Sequence, residues 1–183
     1  KKFDVSVVAL RGGAVGVRKG YRGDRRAFAN ELEALDALGR AGLNVPSVLD
    51  ADFTAPELVT SYIPGRVLRE ELAKAGATLR DRDAASKPGF DGLDPEQLRL
   101  RRVEEGKKYL YGIVNAAFVE KLFGMLKTAH ALGFLLTDIK YGNVVIESGT
   151  GEPWLIDFDL AAKFPNPRGA LVRALRDAEG AEF

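Results

Sequence analysis

Four polar side chains toward the end of the chain have the types and spacing that phosphoryl transfer requires. Asp138, Lys140 and Asn143 lie close together in sequence, and Asp157 follows inside an apolar run at residues 155–158. In ATP-dependent transfer, a carboxylate takes a proton from an acceptor hydroxyl, and carboxylate and amide oxygens hold the metal ion on the phosphates. This segment restricts the possible chemistry of the chain more than any other.

The residues between Asn143 and Asp157 have the pattern of a β-hairpin. Residues 144–146 are β-branched, residues 154–156 are apolar, and a glycine-rich cluster separates the two runs. Because a hairpin returns the chain to the side of its start, Asn143 and Asp157 are expected to meet. Two such oxygen ligands suit Mg²⁺, which usually takes one or two protein carboxylates. Asp138 would lie in the loop that enters the hairpin, near the same phosphates.

The spacing resembles that of the protein-kinase-like superfamily, whose catalytic loop has the pattern H-R-D-x-K-x-x-N followed by D-F-G. Here residues 136–143 are L-T-D-I-K-Y-G-N and residues 157–159 are D-F-D, while H-A-L-G-F at 130–134 resembles the end of the preceding helix. The alternative is chance, since Asp, Asn and Lys favour turns. A carboxylate buried between apolar residues argues against chance, because burying it unpaired is costly.

The resemblance implies a role for each of these side chains. Asp138 would orient an acceptor hydroxyl and accept its proton, and Lys140 would neutralise charge on the transferring γ-phosphoryl group. Asn143 and Asp157 would hold Mg²⁺. Most of the acceleration would come from positioning and electrostatics. The cofactors that the resemblance implies are therefore ATP and Mg²⁺.

The resemblance also implies an α+β, two-lobed protein-kinase-like fold. Residues 1–60 would form an N-terminal lobe with a small antiparallel sheet and one helix, and residues 61–65 the hinge. Residues 66–183 would form a reduced, mainly helical second lobe with a charged insertion at 73–108.

The first half of the chain contains a strand with a lysine, as this fold requires. Residues 5–10 and 14–21 predict two strands joined by a turn at 11–13. Lys19 lies in the second strand and would contact the α- and β-phosphates. The neighbouring Arg18 is the alternative cation, although alternation along the strand favours Lys19.

An amphipathic helix is predicted to begin at Asp24 and to end near Gly39 or Gly42. The apolar side chains that define its buried face are Phe28, Leu32, Leu35 and Leu38. Glu31 resembles the helix glutamate that pairs with the strand lysine in this superfamily. Glu33 is a possible substitute, although a solvated role on the helix surface suits it better.

Two further short strands, residues 45–49 and 57–60, lead into S-Y-I-P-G at 61–65. The resemblance implies that this stretch is the hinge between the lobes, whose backbone binds the adenine edge. Thr60 would then control access to the pocket behind the adenine. The nucleotide contacts expected in addition to Lys19 and Glu31 come from Ser61, Ile63 and Val145.

A glycine-rich loop over the phosphates is expected well before the lysine. Gly12, Gly13 and Gly16 lie too near Lys19 for a strand to intervene, so we interpret them as the turn between two strands. The missing strand would then precede Lys1 or be abbreviated within residues 1–4.

Composition excludes several classes of protein. The 183 residues are 46% hydrophobic with a net charge of +1, which gives no global field for nucleic acid or membranes. No apolar run approaches the ~20 residues that span a bilayer, and no secretory signal is present, so we expect a cytoplasmic protein. The absence of Cys excludes disulfides and thiolate metal sites, and His130 is expected to pack or cap a helix end.

Two helical segments are expected in the second half, besides the charged stretch. Residues 114–132 predict a helix with one apolar face, and residues 168–178 a short helix. Within the charged stretch, residues 95–105 have the pattern of a polar helix that begins at Pro95. The charged stretch also contains cationic side chains that could contact an anionic acceptor, although we favour a solvated insertion. These cations are Arg99, Arg101, Arg102, Lys107 and Lys108.

Three departures from the kinase pattern point to the acceptor. Leu136 and Thr137 replace the His-Arg pair, so no arginine awaits a phosphorylated activation loop. Asp159 replaces the glycine of D-F-G, as in the L-I-D-F-D motif of bacterial lipopolysaccharide (Kdo) kinases, and no A-P-E segment follows. These features favour a small atypical kinase of lipopolysaccharide or RIO type that phosphorylates a sugar or lipopolysaccharide hydroxyl. A protein Ser/Thr kinase and a non-catalytic nucleotide-binding pseudokinase are the alternatives.

Overall fold

The computed structural model describes residues 3–74 and 114–164, which form a mixed α+β structure with antiparallel sheets. The first part is a four-stranded sheet in the order β1-β2-β4-β3, with one long helix packed beside it. Its elements are β1 (Asp4–Ala9), β2 (Val15–Gly20), α1 (Arg25–Arg40), β3 (Val48–Asp52) and β4 (Glu57–Ser61).

The hairpin of β1 and β2 is joined by a short 3-10 turn at Arg11–Gly13. Gly12 and Gly13 have φ values of +81° and +83°, a left-handed backbone that glycine adopts at no steric cost. Gly12 and Gly13 therefore form the predicted turn, whereas Gly16, which we also assigned to the turn, lies within β2, where it pairs with Val8.

Helix α1 begins and ends where the sequence predicts. The Asp24 side chain accepts a hydrogen bond from the Ala27 amide at 3.0 Å, which satisfies one of the free amides of the first turn. After Arg40 the chain turns at Gly42, whose φ is +80°. The buried face holds Ala27, Phe28, Glu31, Ala34, Leu35 and Leu38.

One strand lies three residues later than predicted. We expected a strand at 45–49, whereas β3 runs over Val48–Asp52. Pro46 has no amide to donate to a neighbouring strand, and the Ser47 amide donates to the Ser61 side chain at 2.9 Å. The segment therefore packs its apolar side chains inward before the ladder begins, as the burial of Val45 shows.

The second part contains a long helix and five short strands. Strands β5, β7 and β8 form one sheet, strands β6 and β9 form another, and residues 68–74 are helical. The elements are β5 (Gly65–Val67), α2 (Ala116–Ala131), β6 (Phe134–Leu136), β7 (Val144–Glu147), β8 (Pro153–Leu155) and β9 (Ala161–Lys163).

The predicted hairpin and the predicted apolar helix face are both confirmed. Strands β7 and β8 pair antiparallel, with Val144 opposite Leu155. Helix α2 is capped by Asn115, whose side chain accepts a hydrogen bond from the Phe118 amide at 2.8 Å. Its buried face consists of Phe118, Leu122, Met125, Leu126 and Ala129. These side chains belong to a hydrophobic core that also includes side chains of α1 and β4.

Several predictions fall outside the described residues. The helices expected at 95–105 and 168–178 lie there, and so does the charged stretch 73–108 except for its first two residues. Among the described helices, none has the length and apolar character needed to cross a membrane.

Candidate active site

A cavity of about 540 Å³ opens beside the four-stranded sheet, next to strand β5 and the end of β8. Its volume is in the range of small-molecule sites. The wall is mostly apolar, and the charged groups are concentrated at one end. The lining residues that matter for the chemistry are Val17, Lys19, Glu31, Thr60, Ser61, Ile63, Val145 and Asp157.

Alternation along β2 decides which cation faces this cavity. Lys19 lines the cavity, whereas Arg18 points to the opposite face and pairs with Glu57 at 3.2 Å. Since successive strand side chains alternate between faces, only one of the two neighbours can reach the cavity. The structure places Lys19 there.

The ammonium of Lys19 is surrounded by three carboxylates. Lys19 Nζ lies 2.7 Å from Glu31 Oε2, 2.5 Å from Asp157 Oδ1 and 3.8 Å from Asp159 Oδ1. The Tyr21 hydroxyl donates to the same Glu31 oxygen at 2.7 Å. We call these five residues the Lys19 cluster. Its members come from β2 and the residue that follows it, from α1 and from the segment after β8, so tertiary packing assembles the cluster.

Charge pairing overrides burial at both ends of the Lys19–Asp157 contact. Burial lowers the pKa of Lys19, but the carboxylates of Glu31 and Asp157 more than offset it, so this pKa is raised. The Asp157 side chain is 39% exposed and not buried as the sequence predicted, because it lies at the cavity rather than in the core. Its partial burial raises the pKa of Asp157, yet the ion pair and hydrogen bond with Lys19 leave that pKa below the ordinary value. Both groups are therefore charged at neutral pH.

Glu33, the alternative partner, lies elsewhere on α1. Its side chain is exposed and pairs with Lys163 of β9 at 2.7 Å. Of the two glutamates, the structure brings only Glu31 to Lys19.

The loop at residues 138–143 lies beside Asp157. The Ile156 amide donates to the Asn143 carbonyl at 2.9 Å, which brings the end of the hairpin next to its start. Asp138, Asn143 and Asp157 line one small pocket. The expected approach of Asn143 and Asp157 is thus present in the structure.

Within this loop, Asp138 is held by both of its neighbours. Lys140 Nζ lies 2.5 Å from Asp138 Oδ2, and Asn143 Nδ2 donates to the Asp138 carbonyl at 2.9 Å. Because the Asn143 amide nitrogen is used in this way, its side-chain oxygen is the atom left for a metal ion. Asp157 has a φ of +66°, which is uncommon outside glycine and concentrates at functional sites.

Residues 4–163 match the phosphotransferase enzyme family abbreviated APH. The chain therefore belongs to this family. Among curated proteins, none matches the chain significantly. Family membership makes the chain a phosphotransferase of the protein-kinase-like superfamily, a broader assignment than the lipopolysaccharide or RIO type expected from the D-F-D motif.

In this APH-family phosphotransferase, residues of the predicted hinge line the cavity together with one residue just before the hinge and one from β7. Thr60, Ser61, Ile63 and Val145 all line it. The Ser61 amide donates to the Ser47 carbonyl at 2.8 Å. Because the Ser61 amide is used in this way, the carbonyl oxygen is the backbone atom of Ser61 that is left to contact a ligand.

Three members of the site were not among the predicted site residues. Asp159 is buried at the position of the D-F-G glycine, and Tyr21 is buried beside Glu31. The Phe3 ring centroid lies 4.9 Å from Lys19 Nζ, a cation–π contact. The only sequence signals were the K-x-Y spacing after Lys19 and the acidic residue after Phe158.

The charge balance of the Lys19 cluster suits a cation. Ligand oxygens of Glu31, Asp157 and Asp159 lie within 4.8 Å of one another, around the single ammonium of Lys19. Carboxylate oxygens at this density are the ligands that Mg²⁺ prefers. Asp157 belongs both to this group and to the predicted metal ligands Asn143 and Asp157, so the acidic side chains beside the cavity are compatible with Mg²⁺.

Proposed function

We propose that the chain transfers the γ-phosphate of ATP to an alcohol acceptor. The observation that carries this proposal is the meeting of Lys19 and Asp157 at the charged end of the cavity, 2.5 Å apart. The apolar end suits an adenine, and the 138–143 loop begins beside Asp157. One ligand the length of ATP would reach from the hinge to that loop.

In this proposal, the nucleotide lies along the cavity. The backbone of Ser61 and Ile63 contacts the adenine edge, and Val145 packs against the ring. Lys19, held by Glu31, contacts the α- and β-phosphates. Support comes from the fact that all five residues line the same cavity.

Asn143 and Asp157 would hold Mg²⁺, which neutralises phosphate charge when bound. The carboxylate of Asp138 would orient the acceptor hydroxyl and take its proton. The ammonium of Lys140, half-exposed beside Asp138, would stabilise charge on the transferring group. These side chains supply positioning and charge, as this reaction requires.

We further propose the two-lobed division of the chain: residues 1–60, a hinge at 61–65, and a reduced second lobe at 66–183. The cavity's position supports it, because small-molecule sites are common between two structural units. The four-stranded sheet ends at Ser61, and β5 joins a different sheet from Gly65.

For the acceptor, we propose a sugar or lipopolysaccharide hydroxyl in a cytoplasmic reaction. The burial of Asp159 in the L-I-D-F-D motif supports this choice over a regulated protein kinase. Thr137, in the position of the kinase arginine, donates its hydroxyl to the Leu160 carbonyl at 2.7 Å instead of binding a phosphorylated loop.

The test is an incubation of the full chain with ATP and Mg²⁺, with and without acceptors. Kdo-containing saccharides, simple sugars and a Ser/Thr-rich protein are compared for ATP consumption and phosphate incorporation, beside calorimetric titration with MgATP. We expect MgATP binding and transfer to a saccharide. Transfer to the protein alone would overturn the acceptor class. Binding without turnover on any acceptor would favour a nucleotide-binding pseudokinase, and absence of binding would refute the proposal.

A further inference from the structure

The hydroxyl of Tyr21 is a polar group that the proposed mechanism does not use. The side chain is 1% exposed, and its hydroxyl donates to Glu31 Oε2 at 2.7 Å. Lys19 Nζ donates to the same oxygen, also at 2.7 Å. One carboxylate oxygen thus receives two donors, one neutral and one charged.

The aromatic ring alone would satisfy the packing at this position. Its centroid lies 5.2 Å from that of Phe3 and 5.5 Å from that of Phe28, in tilted and edge-to-face arrangements. A phenylalanine would fill the same space without a hydroxyl that needs a partner in the core. The hydroxyl is therefore best explained by what it does for Glu31.

The two donors to Glu31 differ in their dependence on a ligand. Lys19 divides its ammonium between Glu31 and Asp157, so any phosphate or cation that binds there competes for Lys19. The Tyr21 hydroxyl is not subject to this competition, because Tyr21 is buried in the hydrophobic core. Burial and the Glu31 carboxylate raise the pKa of Tyr21, so the hydroxyl keeps its proton as a donor.

We propose that Tyr21 is a positioning residue that holds Glu31 in place while Lys19 transfers its contact from Asp157 to the nucleotide phosphates. This inference rests on the proposed function, because it requires MgATP to bind at Lys19. Tyr21 touches neither the nucleotide nor the reacting atoms and acts through Glu31 alone. Without the Tyr21 hydroxyl, Glu31 would lose the hydrogen-bond donor that does not depend on the ligand. Glu31 would then position the Lys19 ammonium less accurately against the phosphates.

The test is Tyr21→Phe, which removes the hydroxyl and keeps the ring. Titration with MgATP gives the Kd, and steady-state assays give KM and kcat. We expect the Kd and KM for MgATP to rise about five- to tenfold with a smaller change in kcat, as for loss of a hydrogen bond to a charged group. Circular dichroism and thermal melting verify that the variant is folded.

A double-mutant cycle separates positioning from a purely structural role. Once Glu31→Gln has removed the carboxylate, adding Tyr21→Phe should raise the Kd for MgATP by less than twofold, since directly coupled residues are not additive. The matched control is Glu33→Gln, the same chemical change on the exposed face of α1, which should leave the Kd unchanged.

Two results would overturn the inference while the proposed function stands: an unchanged Kd in Tyr21→Phe, or fully additive effects of Tyr21→Phe and Glu31→Gln. Failure of the unaltered protein to bind MgATP would instead refute the proposed function and this inference together. The two failures are thus distinguished by the first titration.

Discussion

The Lys19 cluster and the 138–143 loop each pair a lysine with an aspartate at 2.5 Å, yet their surroundings differ. The Lys19 side chain is 12% exposed, and its carboxylate partners come from α1 and from the segment after β8. The Lys140 side chain is 51% exposed, and its partner Asp138 is two residues away in the same loop. One pair is built by tertiary packing and the other by local sequence.

This difference indicates a division of labour. A buried charge must keep its partners, because an unpaired charge in the interior is costly, so the pairing of Lys19 with buried Glu31 is kept when a ligand binds, whereas its contact with the more exposed Asp157 can pass to the ligand. An exposed ion pair contributes little to stability. Lys140 and Asp138 can therefore give up their contact with each other and contact a phosphate or an acceptor instead, at a small cost in free energy. A buried pair that is kept suits nucleotide positioning, and exposure suits the reacting groups.

The largest effect is expected from Asp138→Asn, which tests the role assigned to the exposed pair. Removing the carboxylate charge should lower kcat by about 10²- to 10⁴-fold, as for loss of a general base. The KM for ATP should change less than threefold, since Asp138 lies outside the nucleotide cavity. Steady-state kinetics on the best acceptor found will measure both values.

The control for Asp138→Asn is Asp36→Asn, which changes an exposed aspartate on α1 that pairs with Arg40. This variant should match the unaltered protein. Full activity in Asp138→Asn would contradict its assignment as the base.

A second prediction compares the two lysines by stability. Lys19→Met leaves buried Glu31 and Asp159 without their ammonium and should lower the free energy of unfolding by about 3 kcal/mol. Lys140→Met removes an exposed pair and should cost less than about 1 kcal/mol. Urea unfolding of the two variants, read by fluorescence of the single Trp154, measures the difference. Equal losses would show that the two regions do not differ as proposed.

The third prediction concerns Gly65, the first residue of β5. This strand pairs with β7, the first strand of the hairpin that follows Asn143. A Cβ at Gly65 would overlap the Ile146 carbonyl oxygen and lie 2.6 Å from Val145 Cγ1, so the pairing of β5 with β7 needs glycine. We expect Gly65→Ala to lower the free energy of unfolding by about 2 kcal/mol.

The matched control for this change is Gly124→Ala, within α2. An added Cβ meets no atom within 4 Å there, and alanine favours a helix over glycine by up to ~1 kcal/mol. Chemical denaturation should therefore give opposite signs for the two substitutions. Destabilisation of similar size in both would refute the close approach at Gly65.

The smallest effect is expected at Glu147, a carboxylate at the end of β7 that is held by the loop that follows it. Hydrogen bonds from the Gly149 and Thr150 amides and the Thr150 hydroxyl hold the pKa of Glu147 below its usual value. A group with a lowered pKa stabilises the fold above its ordinary pKa, and the contribution disappears as the pH falls through the folded value. An NMR titration should give a Glu147 pKa below 4.5.

The same reasoning predicts the pH dependence of Glu147→Gln. Its melting temperature should fall slightly below that of the unaltered protein at pH 7, and the two should converge as the pH drops below the folded pKa of Glu147. A gap that widens toward acid pH would contradict the sign.

The sequence alone was sufficient for features whose cause is local. Asp24 caps its helix, Gly12 and Gly13 permit a left-handed turn, and two short apolar runs separated by a turn cluster produce the β7–β8 hairpin. Each depends on neighbours within a few residues, so spacing is enough to predict it. The predicted β3 was displaced because Pro46 and the Ser47–Ser61 hydrogen bond, a nonlocal contact, delay the ladder.

Tertiary structure alone decided which charges meet. The sequence favoured Lys19 over Arg18 by strand alternation and Glu31 over Glu33 by resemblance, but it left both alternatives open; the packing of α1 beside the sheet brings Lys19 and Glu31 together. The burial of Tyr21 and Asp159 beside them also depends on how α1 and the segment after β8 pack. The physical reason is that a buried charge is stabilised by partners distant in sequence, and their positions are fixed only when the core forms.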